Sequence, residues 1–193
     1  MSQISSYFDS VAFLWDSWQP PAYASQMDAL VRSLPLKAGN KVLDVACGTG
    51  ILTSALASVV RCPVLGIDLS PKMIQKAKEN HPHDPLVSFE VQDFYTFKGV
   101  GYDAVVLFDA YPHFLDIEAL GKAASRVLKK GGVWCILHDV GRKELASFPA
   151  HHDPRLSRDI ASPQEEAVYY QDDFVLLEAK EDSNSYRLIL QKK

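Results

Sequence analysis

Apolar and polar positions follow two rhythms along this chain, and the changes of rhythm mark its elements. Lys41 to Val45 is a short apolar run with β-branched residues, bounded upstream by Ala38-Gly39-Asn40, and predicts a buried strand. Ile51 to Val60 then places Ile51, Leu52, Ala55, Leu56 and Val59 at helical spacing. Pro63 to Asp68 predicts a second strand. Ser70 suits an N-cap with Pro71 at the first helical position, so a helix should follow to about Asn80. Leu86 to Gln92 predicts a third strand. Asp103 to Asp109 predicts a fourth, and its unbroken run Ala104-Val105-Val106-Leu107-Phe108 suits a strand buried on both faces.

Asp116 to Lys129 has a helical stripe of Ile117, Leu120, Ala123, Ala124, Val127 and Leu128, with Lys129-Lys130 and Gly131-Gly132 as its expected end. Val133 to Leu137 predicts a fifth strand. Gly141 to Phe148 and Gln164 to Gln171 predict short helices around a loop from Pro149 to Pro163. Phe174 to Glu181 and Tyr186 to Gln191 predict two closing strands joined around Asp182-Ser183-Asn184, a turn-rich tripeptide. Ahead of all this, Ser2 to Trp18 carries Ile4, Phe8, Val11, Ala12, Trp15 and Trp18 as one amphipathic helix ended by Pro20-Pro21. A second helix is expected from Ala22 to Leu34.

Strands alternating with helices predict an α/β fold: a mostly parallel seven-stranded sheet with an antiparallel last strand, helices on both faces and a helical N-terminal cover. No repeat, linker or low-complexity segment interrupts the 193 residues. One domain is therefore expected over 1–193, with N-terminal helices in 1–35 and the core in 41–193.

Composition changes this picture little. Apolar residues make up 47% and charged residues 23%, ordinary for a globular chain, and the net charge of −4 gives no general signal for nucleic acid. No signal-peptide pattern and no apolar run long enough for a membrane span is present. The three cysteines, Cys47, Cys62 and Cys135, form no pair and no zinc spacing, which fits a reducing cytoplasm.

The candidate chemistry begins at the turn Asp44-Val45-Ala46-Cys47-Gly48-Thr49-Gly50, where glycines let a ligand approach the main chain. Asp68 ends the second strand 24 positions after Asp44, and Asp93-Phe94 follows the third. A carboxylate there suits a vicinal ribose diol, a feature common to NAD and S-adenosylmethionine sites. The turn helps to separate the two. It lacks the third small residue of a pyrophosphate cradle, and Asp44 would repel a pyrophosphate but welcome an amino-acid ammonium.

Val42 to Gly50 resembles motif I of the class I S-adenosylmethionine-dependent methyltransferases. Gly66-Ile67-Asp68-Leu69-Ser70, Val91-Gln92-Asp93-Phe94 and Phe108-Asp109-Ala110-Tyr111 resemble the segments that follow in that family, as does Leu128-Lys129-Lys130-Gly131-Gly132. Tyr7-Phe8-Asp9, with Trp15-Asp16, resembles the opening of its ubiquinone/menaquinone-biosynthesis type branch. The similarity runs over residues 5–140 and departs at Ala46, where the family often has glycine. It implies a Rossmann-like core binding S-adenosyl-L-methionine. Asp44, Ala46, Cys47, Gly48 and Gly50 would line the methionine end, Asp68 the ribose, and Leu69, Asp93 and Phe94 the adenine, with Tyr7 and Trp15 as a cover.

The acceptor side is expected at the ends of the fourth and fifth strands. Asp109, His113, His138 and Asp139 are the catalytic candidates, because imidazole transfers protons near neutral pH. Tyr111, Arg142, His151 and His152 are candidate substrate contacts, Arg142 for a carboxylate or phosphate. A metal held by His138, Asp139 and His151 or His152 lacks any short ligand spacing, so no metal is assigned. His81 and His83 are expected at the surface. The function expected is methyl transfer to a small-molecule acceptor, in the cytoplasm, without nucleic acid or membrane as partner. Oligomeric state is left open. A non-catalytic S-adenosylmethionine-binding partner protein and an NAD-dependent oxidoreductase are the rivals.

Overall fold

The computed structural model describes residues 2–193, with the side chains of Pro149 and His151 outside that description. The fold class is the expected one, a seven-stranded sheet with helices around it. The chain falls into two compact units, residues 1–96 and 97–193.

The first unit starts with α1 (Gln3–Val11), a 3-10 turn at Trp15–Trp18 and α2 (Tyr23–Arg32). The single helix expected over 2–18 is therefore interrupted. The chain leaves the α-helix after Val11 and re-enters as a 3-10 turn, leaving Phe13 and Leu14 exposed between the two. Then come β1 (Val42–Val45), α3 (Ile51–Val60), β2 (Val64–Asp68), α4 (Pro71–Asn80) and β3 (Val87–Val91). The strands lie in the order β3-β2-β1, all parallel, with Asp44 opposite Gly66 and Asp68 opposite Val91 in register. Parallel pairing with βαβ crossovers gathers the carboxyl ends of these strands along one side. α4 starts as its sequence dictates: Ser70 accepts the Met73 N–H at 3.1 Å and Pro71 occupies the first turn.

The second unit contains β4 (Tyr102–Phe108), a 3-10 turn at Tyr111–His113, α5 (Ile117–Val127) and β5 (Leu128–His138). Its remaining elements are α6 (Arg142–Leu145), a 3-10 turn at Pro149–His152, α7 (Pro163–Val168), β6 (Phe174–Asp182) and β7 (Ser185–Lys192). The strand order is β4-β5-β7-β6. The β4–β5 pair is parallel, and β7 is antiparallel to both of its neighbours, as expected of the last strand.

β5 differs most from expectation. Its strand begins at Leu128 rather than Val133, so Lys129-Lys130 lie on a strand and Gly131-Gly132 do not stop a helix. Leu128 pairs with Tyr102 and Val133 with Ala104, so the residues between bulge out opposite Asp103, with Gly131 at φ +75°. Lys129 Nζ reaches back to the Asp103 carboxylate at 2.7 Å.

α7 is shorter than expected and strongly capped. Ser162 and Glu165 form a reciprocal pair in which Ser162 Oγ accepts the Glu165 N–H and Glu165 accepts the Ser162 N–H. The core of this unit is built on Trp134, Tyr111, Tyr186, Leu107, Leu120, Ile136 and Leu137, all essentially inaccessible to solvent.

Candidate active site

In the first unit the chain leaves β1 through a turn that only some residues can make. Ala46, Gly48 and Gly50 all have positive φ, at 57°, 52° and 90°. At Gly50 geometry and space agree: an added Cβ would lie 2.7 Å from the Phe89 ring and 3.1 Å from His81 Cδ2. His81, expected at the surface, is thus half-buried beside the turn, with its ring centroid 5.7 Å from that of Phe89. Its pKa is lowered, first by that burial. The distal histidine of the same loop, His83, is exposed.

Two acids stand at the turn. Asp44 is wholly buried and accepts the Thr53 hydroxyl at 2.6 Å. Burial raises its pKa to about 7 against the opposing hydrogen bond from Thr53, and the nearby Asp68 charge raises it further. Asp68 accepts the Gly48 N–H on Oδ2 at 3.0 Å and the Ser70 N–H on Oδ1 at 2.8 Å. Burial raises its pKa to about 6, opposed by those backbone bonds. Cys47, between the acids, is buried, and desolvation lifts its thiol well above the ordinary range, so it is no nucleophile.

Leu69 is half-buried after Asp68, and Ser5 Oγ donates to its carbonyl at 3.0 Å. Asp93 turns its carboxylate onto the Tyr95 N–H at 2.9 Å, and Phe94 is buried beside it. Tyr7, Phe8, Trp15 and Trp18 form a chain of ring contacts, with centroids 5.3, 5.8 and 6.0 Å apart in turn. Trp15 Nε1 is 3.7 Å from the point a Cβ on Gly48 would occupy, so the indole lies over the turn.

The residues present fit S-adenosylmethionine. A carboxylate has acceptor sites on both oxygens, so the two backbone N–H groups on Asp68 leave capacity for the two hydroxyls of a ribose. Asp44 is a buried acid that a neighbouring cation would ionise, as the ammonium of the methionine half would.

The second unit brings some of its candidates together and separates others. Asp109 leaves β4 with φ 51°, strained for a residue with a side chain. Its Oδ1 accepts the Asp139 N–H at 3.2 Å and lies 3.3 Å from His138 Nδ1. The His138 side chain is wholly buried against the Tyr186 ring, and among the described residues neither ring nitrogen makes a hydrogen bond of good geometry. His113 is half-buried and its Nδ1 lies 2.9 Å from both the Leu156 carbonyl and Ser157 Oγ. A carbonyl only accepts, so that contact puts the proton of the neutral ring on Nδ1 and leaves Nε2 basic.

Tyr111 points into the protein. Its hydroxyl donates to Glu166 Oε2 at 2.6 Å and lies 2.8 Å from the Tyr170 hydroxyl. Arg158 holds Glu166 through both oxygens, at 2.8 and 3.0 Å, and stacks its guanidinium 4.6 Å from the Tyr111 ring centre. Burial pushes the Tyr111 phenol far above its usual range. Glu166 and Tyr170 escaped the sequence reading because their contacts with Tyr111 join positions 55 and 59 apart.

Arg142 donates its backbone N–H and Nε to Glu181, the latter at 2.8 Å. It lines a cleft of about 830 Å³ with Pro112, Lys143, Leu145, Arg158 and Ile160. His152 and Asp139 are exposed, and the His151 side chain lies outside the described residues. Among the described residues no three His, Cys, Asp or Glu are placed to hold a metal ion.

Residues 43–136 match the family model described as a methyltransferase domain. The 2-methyl-6-phytyl-1,4-hydroquinone methyltransferase of Synechocystis sp. is 36% identical over 100 residues, which are 51% of this chain and 31% of that protein. The ubiquinone biosynthesis O-methyltransferase of Xanthomonas oryzae pv. oryzae is 31% identical over 140 residues, 66% of this chain and 58% of that protein. The chain thus spans less than two thirds of the length of these curated relatives. A solved S-adenosylmethionine-dependent methyltransferase from Aquifex aeolicus shares the fold with a TM-score of 0.76, at 16% identity, over 96% of this chain and 98% of that one. Over residues 43–136 the chain is thus similar to the methyltransferase domains that its glycine turn and strand-end acids resemble.

Proposed function

We propose that this protein transfers a methyl group from S-adenosylmethionine to a small-molecule acceptor. The observation that carries the reading is Asp68. It ends β2 tied to the glycine turn by the Gly48 N–H and keeps acceptor capacity for a ribose diol, with the buried acid Asp44 beside the same turn. When bound, S-adenosylmethionine supplies an electrophilic methyl group on a sulfonium with a neutral leaving group. Asp44, Ala46, Cys47, Gly48 and Gly50 would hold the methionine end, Asp68 the ribose, and Leu69, Asp93 and Phe94 the adenine, under Tyr7 and Trp15.

The protein's own task is then alignment, exclusion of water and, for an acceptor with an O–H, N–H or C–H to lose, removal of one proton. His113, with Nδ1 facing the Leu156 carbonyl, keeps Nε2 as its basic atom, and His138, with Nδ1 3.3 Å from Asp109, is the second proposed base. Asp109 and Asp139 act through His138 by fixing its side of the strand end. Arg142, His151 and His152 are proposed acceptor contacts. Tyr111 is proposed to shape the site through its bond to Glu166. The reading takes residues 1–193 as one functional domain. A cytoplasmic location, without nucleic acid as partner, is part of the same proposal, supported by three free cysteines and the acidic net charge. Among the described residues no helix is long and apolar enough to cross a membrane.

Incubation with S-adenosylmethionine carrying a labelled methyl group and a panel of quinols, phenols, amines and thiols tests the reading. Release of S-adenosylhomocysteine with label in one acceptor class supports it. Cofactor binding with no transfer to any class would favour the non-catalytic partner protein instead.

A further inference from the structure

We infer that Asp9 and Asp16 are positioning residues of the cofactor site, and that segment 3–18, which they anchor, is a clasp whose opening sets how fast the cofactor leaves. This rests on the cofactor reading above and goes beyond it. The two acids contact neither the candidate cofactor residues alone nor solvent alone; they join the N-terminal segment to the turn and to both ends of α4.

Asp16 spends its two oxygens on two partners. Oδ1 accepts the Thr49 hydroxyl at 2.6 Å, and Oδ2 accepts the Asn80 side-chain N–H at 2.9 Å. Thr49 is buried between Gly48 and Gly50, so the first bond is anchored in the turn itself. The Asn80 amide also reaches the Thr49 carbonyl at 3.4 Å, which closes a ring of polar contacts around the turn. Trp15 precedes Asp16 in the same 3-10 turn, and its indole nitrogen lies over Gly48. Holding Asp16 therefore holds the indole.

Asp9 works at the other end of α4. Its Oδ1 accepts the Ser70 hydroxyl at 2.5 Å and the Lys72 N–H at 3.0 Å, placing a negative charge at a helix N-terminus. Ser70 in turn gives its N–H to Asp68 Oδ1. Asp9 thus fixes the residue that fixes the proposed ribose acid. Ser5 adds a third tie through its bond to the Leu69 carbonyl. Charge-assisted bonds of this kind are about twice as strong as neutral ones, and here they fall on the elements that surround the cofactor.

The test uses the full chain in two measurements. The first is amide hydrogen exchange of the ligand-free protein. The second is stopped-flow release of S-adenosylmethionine, followed by tryptophan fluorescence. Asp16→Ala and Thr49→Val should each speed exchange across residues 3–18, and cofactor release, by about tenfold or more, the factor expected for one lost charge-assisted bond. The double variant should go no further than Asp16→Ala, because both changes remove the same contact. Asp9→Ala should speed exchange across α1 and at the Ser70 and Lys72 amides.

Unchanged ligand-free exchange in both single variants overturns the clasp. So does a double variant whose effect is the product of the two singles. Faster exchange with unchanged release overturns its control of the cofactor. If the wild type binds no S-adenosylmethionine, the cofactor reading fails and the release claim with it. The exchange experiment then still decides whether the acids hold the segment.

Discussion

The Asp68 carboxylate accepts the Gly48 backbone N–H at 3.0 Å, joining the end of β2 to the turn that follows β1. The bond spans 20 positions and makes one unit of two features that the sequence presents separately. Because the same carboxylate also takes the Ser70 N–H, its orientation is fixed before any ligand arrives. Preorganisation of this kind lowers the cost of binding, since the acceptor need not be ordered again.

Asp44 should make both stability and cofactor affinity depend on pH, in opposite senses. Its ordinary pKa is 3.8 and its folded value about 7. Between those values the folded chain holds a proton that the unfolded chain has released. The contribution to stability is therefore full below about pH 4 and is lost as pH rises through about 7. Asp68, raised to about 6, adds a loss in the same direction. A bound ammonium prefers the ionised acid, so affinity for S-adenosylmethionine should rise from about pH 6 to 8. Calorimetry across that range should show the rise in wild type and a smaller one in Asp44→Asn, where Asp68 still titrates.

Gly50→Ala should destabilise the ligand-free protein by about 2–4 kcal/mol. The residue sits at φ +90° and its added Cβ would lie 2.7 Å from Phe89, so backbone strain and overpacking add. Urea unfolding measures the loss. An unchanged midpoint would mean that the turn adopts another path.

Tyr111→Phe should cost about 1–3 kcal/mol in stability, because Glu166 and Tyr170 lose a buried partner. Cofactor affinity should not change. A variant with full stability and a raised KM for the acceptor would instead make Tyr111 a direct substrate contact.

His138→Ala should lower turnover by about 10²–10⁴-fold, the range for a lost general base, while leaving cofactor affinity intact. Asp109→Asn should lower it less, since the ring is kept and only its orientation is freed. Equal loss of turnover and cofactor binding in His138→Ala would mark the residue as structural.

The elements that local pattern controls were legible. α3 and α4 begin and end where their apolar spacing, the Ser70 cap and Pro71 place them, and the closing strands follow their turn at Ser183-Asn184. Legibility ended where distant backbone decides. The early start of β5 depends on Tyr102 pairing with Leu128, which no local rule reveals, so Gly131-Gly132 suggested a helix stop. His81 suggested a surface loop until Phe89 and Gly50 closed around it.

At the site, Asp44, Asp68 and the turn glycines could be singled out because strand ends and turn chemistry mark them. The partners that orient them could not. Asp9 meets Ser70 across 61 positions and Asp16 meets Asn80 across 64, and an acid on an amphipathic segment resembles any solvated charge. The one available signal was that each follows an aromatic residue, Phe8 or Trp15, and these two rings contact each other.

The central claim is that this turn and Asp68 hold S-adenosylmethionine, and calorimetric titration of the purified chain tests it most directly. The account predicts saturable binding of S-adenosylmethionine, no saturable binding of NAD, and an affinity lower by about 1.5–3 kcal/mol in Asp68→Asn. Saturable NAD binding without S-adenosylmethionine binding, or equal affinity in wild type and Asp68→Asn, would contradict it.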